Sequence, residues 1–194
     1  MILTLVRHGE VDPAALGRYN GHNGIGLSEK GHAQAEALAR RFADARFDAV
    51  YCSDLRRAAE SLVPLLRNSG TLPVPVYTSA LREKSWGRHE GKSFDEIVSE
   101  EGIRYENFLQ WIDALDGEPY PDYIARIRRF FLETLPAQPY EQVFIMTHAG
   151  VIRVLMHLLQ GISLQEAFSV SFPCGAYTTL DLNTRQFGEI VCAA

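Results

Sequence analysis

Met1-Ile2-Leu3-Thr4-Leu5-Val6-Arg7-His8-Gly9-Glu10 opens the chain, and its reading decides the fold. The first six residues are a short apolar and β-branched run, the pattern of a buried strand. Arg7 and His8 then stand at the carboxyl end of that strand, where open α/β sheets place their ligands. Gly9 removes a side chain there, so the backbone can turn sharply and approach whatever binds. An always-charged guanidinium beside an imidazole suits an anionic substrate and a nitrogen nucleophile.

Two later stretches repeat the arrangement. Phe47-Asp48-Ala49-Val50-Tyr51-Cys52-Ser53 reads as a second buried strand, with a helix from Asp54 to Leu66 directly after it. Val143 to Thr147 reads as another, followed by an apolar helix from Val151 to Leu159. Between the first two strands, Ser28 can cap a helix over residues 27–47, in which Ala35, Leu38, Ala39 and Phe42 recur at helical spacing. Pro73 to Tyr77 reads as a short strand between proline signals. Tyr177 to Leu182 and Phe187 to Val191 read as closing strands around the Asn183-Thr184-Arg185 turn. Strands alternating with helices predict an α/β fold, a three-layer, mostly parallel sheet with helices on both faces. From Ser79 to Gln138 charged and aromatic residues mix, with helical periodicity in 94–101, 105–115 and 122–135. Within a single domain spanning 1–194, residues 79–138 are expected to form a helical insertion over the C-terminal strand edge.

Composition narrows the partners. The 194 residues carry a net charge of -5, which argues against a nucleic-acid or membrane-surface binder, because those need a basic face. A cationic site must then be local and suits a small anionic molecule. No apolar run approaches the ~20 residues that span a bilayer, and Arg7, His8 and Glu10 interrupt the N-terminal run too early for a signal peptide. The three cysteines, Cys52, Cys174 and Cys192, lack disulfide or zinc spacing, and a reducing cytoplasm is the expected compartment. A homodimer is compatible with the sequence.

In a parallel sheet the three strand ends share one edge, so Arg7, His8, Arg57 and His148 converge on a phosphate pocket. Helix N-termini would add amide donors, and no metal or other cofactor is needed. Arg56 is the alternative to Arg57. Leu81-Arg82-Glu83, followed by Gly87-Arg88-His89-Glu90-Gly91, can bring a carboxyl group to the pocket. A carboxylic acid there would protonate a departing alkoxide, with Glu83, Glu90 and Glu10 as the candidates. His22, His32, His89 and His157 show no metal-ligand spacing. Tyr19, Gly21 and His22, in the glycine-rich loop after His8, and His89, close after Glu83, are expected on the substrate rim. Cys52 precedes two arginines, but too closely for a cysteine-phosphatase loop, and is expected to pack in its strand. Trp86 and Trp111 are expected in core or cap packing.

Together these motifs resemble the histidine phosphatase superfamily, the phosphoglycerate mutase-like proteins. Arg7-His8-Gly9, Ser53-x-Leu55-x-Arg57-Ala58, Leu81-Arg82-Glu83 with Gly87-x-x-Glu90-Gly91, and Thr147-His148-x-Gly150 fall in the family's order over almost the full length. So does Gly21-x5-Leu27-Ser28-x-x-Gly31-x-x-Gln34-Ala35. The resemblance implies that His8 forms a phosphohistidine, that Arg7, Arg57 and His148 hold the phosphoryl oxygens, and that Glu83 is the general acid and then the base. Gly24, Gly26 and Ser61 depart from the family pattern. Ala14 replaces the asparagine found in the mutases, and the insertion is shorter than theirs; both favour a hydrolase of a small phosphate ester. Gly17-x-Tyr19-x-Gly21-His22, Phe47-Asp48-x-Val50-x-Cys52-Ser53 and Gly117-Glu118 are similar to α-ribazole phosphatase-type members. The alternatives are a mutase, a broad-specificity or phosphoprotein phosphatase, and a catalytically silent binding member.

Overall fold

The computed structural model describes residues 1–102 and 104–193; Ile103, inside the 79–138 stretch, and Ala194 lie outside the described residues. Among the described residues seven strands form one sheet: β1 (Ile2–Arg7), β2 (Ala49–Ser53), β3 (Val76–Thr78), β4 (Gln142–Thr147), β5 (Ala176–Asp181), β6 (Gln186–Phe187) and β7 (Val191–Cys192). Their order is β3-β2-β4-β1-β5-β6, with β7 also on β5. The β3–β2, β2–β4 and β4–β1 pairs are parallel, and only β5 and its two short partners run antiparallel. This is the mostly parallel α/β sheet that the sequence predicts.

Burial on both faces explains the near-continuous apolar strands. Leu3 and Leu5 of β1, with Val143 and Ile145 of β4, enter one core; Val6, Phe144 and Met146 enter the other. The second core is covered by α1 (Glu29–Arg41) and α2 (Arg56–Asn68), which supply Leu38, Ala39, Ala58, Leu62 and Leu65. The first is covered by α5 (Tyr120–Arg129), α6 (Ala149–Gln160) and α7 (Leu164–Ser169), with α3 (Phe94–Glu101) and α4 (Phe108–Ala114) on its flank. Tyr123, Ile127 and Phe131 are fully buried there, the last in a π-helical turn, Phe130–Thr134, that continues α5.

Several boundaries move, each for a local reason. Ser28 caps α1 by accepting from Gly31 N, but the helix stops at Arg41, not at residue 47. Phe42 then turns into an aromatic cluster with Phe47, Phe144 and Tyr177. β2 starts at Ala49, because the Asp48 carboxylate accepts from Glu141 N and Gln142 N and so anchors the start of β4. α2 starts at Arg56, leaving Asp54 free to pair with Arg82 at 2.6 Å. Phe187–Val191 is not one strand. Gly188 N donates to Thr179 O and its carbonyl accepts from Thr178 Oγ1, which divides the segment into β6 and β7. α7, absent from the sequence reading, begins in a capping box between Ser163 and Glu166.

Candidate active site

β4 lies between β1 and β2, so its end abuts both of theirs; Arg7 pairs with Thr147, and Cys52 with Met146. His8 and His148 follow β1 and β4 and are buried, with ring centroids 5.0 Å apart. His8 Nδ1 lies 2.7 Å from its neighbour Gly9 O, so this nitrogen carries the proton and Nε2 keeps a lone pair. A Cβ on Gly9 would sit 2.5 Å from Gly31 O, so the loop can make this turn against α1 only with glycine. Arg57, in the first turn of α2, is 1% exposed; its Nε donates to His8 Nε2 at 3.3 Å. Arg57 Nη2 also donates to Asn20 O and Gly21 O.

Three groups at this spot have no partner: Arg7 Nε, Arg57 Nη1 and His148 Nδ1, three of the four such buried side-chain atoms among the described residues. Buried polar groups are rarely left unpaired, and this concentration fits a ligand with several oxygens. Electrostatics agree. Burial, then the charges of Arg57 and Arg7, hold the His8 ring well below its ordinary value. Burial, Arg57, His8 and Arg7 do the same to His148. Burial pushes Arg57 down to about 10, against partial compensation from Glu83 and Glu90. The site is thus over-supplied with positive charge and holds its imidazoles neutral.

Glu83 is delivered by the 3₁₀ turn Ser79–Leu81, which Thr147 Oγ1 anchors by donating to Leu81 O at 2.8 Å. Its Oε1 accepts from Tyr123 Oη at 2.6 Å and from Lys84 N at 3.1 Å; its Oε2 accepts from Gly150 N at 3.0 Å. A Cβ on Gly150 would fall 2.1 Å from Glu83 Oε1, so the carboxylate reaches this position only over a glycine. Burial and the neighbouring Glu83 hold the Tyr123 phenol well above its usual value, so it stays a donor.

The cleft, of about 260 Å³, is lined by Arg7, His8, Arg57 and Glu83 together with Tyr19, Trp86, Tyr120 and Phe168. Trp86 packs partly buried against the core and is also a wall of the cleft. Lys84 is buried behind it, its amine 4.3 Å from the Trp86 ring and pushed down to about 8 by burial. Trp111 is buried and donates from Nε1 to Tyr19 Oη at 2.8 Å, fixing that ring in the wall.

The other rim expectations need correction. His89 is fully buried; its Nε2 lies 2.7 Å from Glu101, its Nδ1 accepts from Asp116 N, and it pins α3 to the loop before α5. His22 is exposed and off the cleft lining, with Nε2 at 2.9 Å from the Glu83 carbonyl. Gly21 also lies off the lining and serves through its carbonyl, which receives Arg57. Arg56 points outward and pairs with Glu60. Glu10 pairs with Lys30, while Glu90 accepts from Gly21 N, His22 N and Trp86 N, so neither is free to meet a ligand. Ser61 Oγ accepts from Gly9 N and donates to Arg57 O, which ties the loop after β1 to the first turn of α2. Tyr123 leaves no signal in the local sequence, because it meets Glu83 across 40 residues.

A profile of the histidine phosphatase superfamily (branch 1) matches residues 3–191. The chain belongs to this superfamily. Within it, the chain is 28% identical to the adenosylcobalamin/alpha-ribazole phosphatase of Escherichia coli, over 95% of this chain and 92% of that protein. It is 29% identical to a 2,3-bisphosphoglycerate-dependent phosphoglycerate mutase of Bartonella quintana, over 89% and 88%. Among solved histidine phosphatase structures, the alpha-ribazole phosphatase of Shigella flexneri superposes with a TM-score of 0.84 at 25% identity, covering 100% of this chain and 96% of that one. A mycobacterial glucosyl-3-phosphoglycerate phosphatase with inorganic phosphate gives 0.76 at 25% identity, over 100% and 97%. Among the described residues no cluster of three His, Cys, Asp or Glu side chains is placed to hold a metal, and no helix is long and apolar enough to cross a membrane.

Proposed function

We propose that the protein is a metal-independent phosphomonoesterase acting through phosphohistidine on a small metabolite of the cytoplasm. The observation that carries this reading is the set of three unpartnered buried groups, on Arg7, Arg57 and His148, around the unprotonated Nε2 of His8, which Arg57 Nε approaches at 3.3 Å. The Nε2 lone pair attacks phosphorus and the ester P–O bond breaks, with Arg7, Arg57 and His148 spreading the charge on the three other oxygens. Glu83 gives its proton to the departing alkoxide. It then takes a proton from water as the oxygen attacks phosphorus, the P–N bond breaks and phosphate leaves.

The test is labelling from a phosphate ester. Label should appear on the wild-type protein, survive base and be lost in acid, and be absent from His8→Ala. Label on Cys52 or a serine would overturn the mechanism. Treatment with a chelator should leave the rate unchanged; a tenfold loss restored by magnesium or zinc would count against the pocket as described.

For the leaving group, the wall of Tyr19, Trp86, Tyr120 and Phe168 supports a planar ring carried on a sugar phosphate. α-Ribazole 5′-phosphate is the substrate of choice on this reading, and the similarity to alpha-ribazole phosphatases supports it. Ala14, on the loop beside the cleft, favours transfer to water over the mutase outcome.

A further inference from the structure

His148 can serve a phosphoryl oxygen as a neutral ring only if the proton sits on the correct nitrogen. Its Nε2 lies 2.8 Å from Ser53 Oγ, and its Nδ1 has no partner in the protein. Both residues are 0% exposed, so neither can turn to solvent. The ring has one proton, since burial and the surrounding cations disfavour a second. If that proton were on Nε2, Ser53 Oγ would accept from it and from Leu55 N, which approaches at 3.4 Å. The serine hydrogen would then have no acceptor, because among the described residues His148 Nε2 is the only one within reach of this hydroxyl. The bare Nδ1 lone pair would also face any phosphoryl oxygen with repulsion. With the proton on Nδ1, Ser53 donates to Nε2, accepts from Leu55, and leaves no hydrogen stranded.

We infer that Ser53 is a positioning residue: its hydroxyl donates to His148 Nε2 and locks the ring in the Nδ1–H tautomer, making it a neutral hydrogen-bond donor to the phosphoryl group. The inference rests on the phosphohistidine reading for its purpose, though not for its geometry. Ser53 comes from the end of β2 and His148 from the end of β4, so adjacent parallel strands supply the donor and the group that orients it. No covalent change occurs at either residue; the serine proton stays on oxygen throughout.

The experiment reads the tautomer directly, by ¹⁵N–¹H correlation of the imidazole rings with inorganic phosphate bound, with His148 assigned from a His148→Gln sample. The wild-type protein should show the proton on Nδ1 and a hydrogen-bonded, unprotonated Nε2. Ser53→Ala should move a measurable fraction of the proton to Nε2 and lower kcat/KM by at least about tenfold, approaching the ~10²–10³-fold cost of one lost transition-state donor. Ser53→Thr keeps the hydroxyl and should retain the wild-type tautomer. A wild-type ring with its proton on Nε2, or a tautomer unchanged in folded Ser53→Ala, would overturn the inference. These signals need no turnover, so they separate this failure from failure of the phosphatase reading, which would show as a wild-type protein inert on every phosphate ester.

Discussion

Glu83 is held by three donors from three places in the sequence, and each contact gives the carboxyl group a direction as well as a location. On the proposed role of Glu83 as proton donor, Glu83→Gln should cost about 10²–10⁴-fold on alkyl phosphates, the usual range for a positioned acid. The loss should shrink on 4-nitrophenyl phosphate, whose phenolate leaves unaided; equal losses on both would move the acid elsewhere. Tyr123→Phe removes one donor to Oε1, and its effect should follow the same leaving-group pattern in kcat with little change in KM. The two histidines carry a second expectation. Above the ordinary value of 6.5, His8 and His148 are neutral in both the folded and unfolded chains and contribute no pH dependence. As pH drops below 6.5, the unfolded chain takes up protons that the folded site refuses, so the melting temperature should fall between about pH 6.5 and 5. A His8→Asn, His148→Gln double variant should flatten that slope. A melting temperature that stayed level through this window would mean that the rings are not buried as neutral groups.

At the scale of elements, α3, which follows β3, is pinned by polar links at both ends. α3 has a capping box, Ser93 with Glu96, at one end and the His89–Glu101–Arg88 cluster at the other. Replacing His89 by Ala strands the half-buried Asp116 N–H, a cost of up to about 1–3 kcal/mol. Urea unfolding should register this, while KM for the substrate stays within about twofold, because His89 does not line the cleft. A rise in KM with no loss of stability would return His89 to the substrate rim. The same logic explains why Gly150 opens α6: its bare amide meets Glu83 where any side chain would collide.

Across the whole molecule, a chain with net charge -5 gathers Arg7, Arg57 and Arg153 on one cleft, none of them with a carboxylate within salt-bridge distance among the described residues. Binding an anion there should stabilise the fold as a whole. Inorganic phosphate at 100 times its dissociation constant should add about 2.7 kcal/mol. Arg57→Ala should abolish the shift in melting temperature; an undiminished shift would place the phosphate elsewhere. The aromatic wall sets the remaining whole-molecule expectation. kcat/KM should be higher for α-ribazole 5′-phosphate than for 3-phosphoglycerate or simple sugar phosphates. Isomerisation of 3-phosphoglycerate faster than hydrolysis of any ester would instead make the protein a mutase.

Periodicity gave the central strands, because a strand buried on both faces must be apolar almost throughout, and Leu5 beside Val6, and Val143-Phe144-Ile145-Met146, announce that burial without reference to any partner. The same strands ended in Arg7-His8, Ser53 and Thr147-His148, and a parallel sheet leaves such ends no choice but one shared edge. Arg57 could be told from Arg56 only by motif register; the structure separates them by burial, one at 1% exposure and the other paired outside with Glu60. What tertiary structure alone decided is where long-range polar contacts fall. Tyr123 meets Glu83 across 40 residues, Ser53 meets His148 across 95, and His89 turns inward to Glu101, although Trp86 of the same segment lines the cleft. Local pattern reports which face of an element is apolar, and it carries no record of which distant hydroxyl or amide a polar side chain will find once the elements pack.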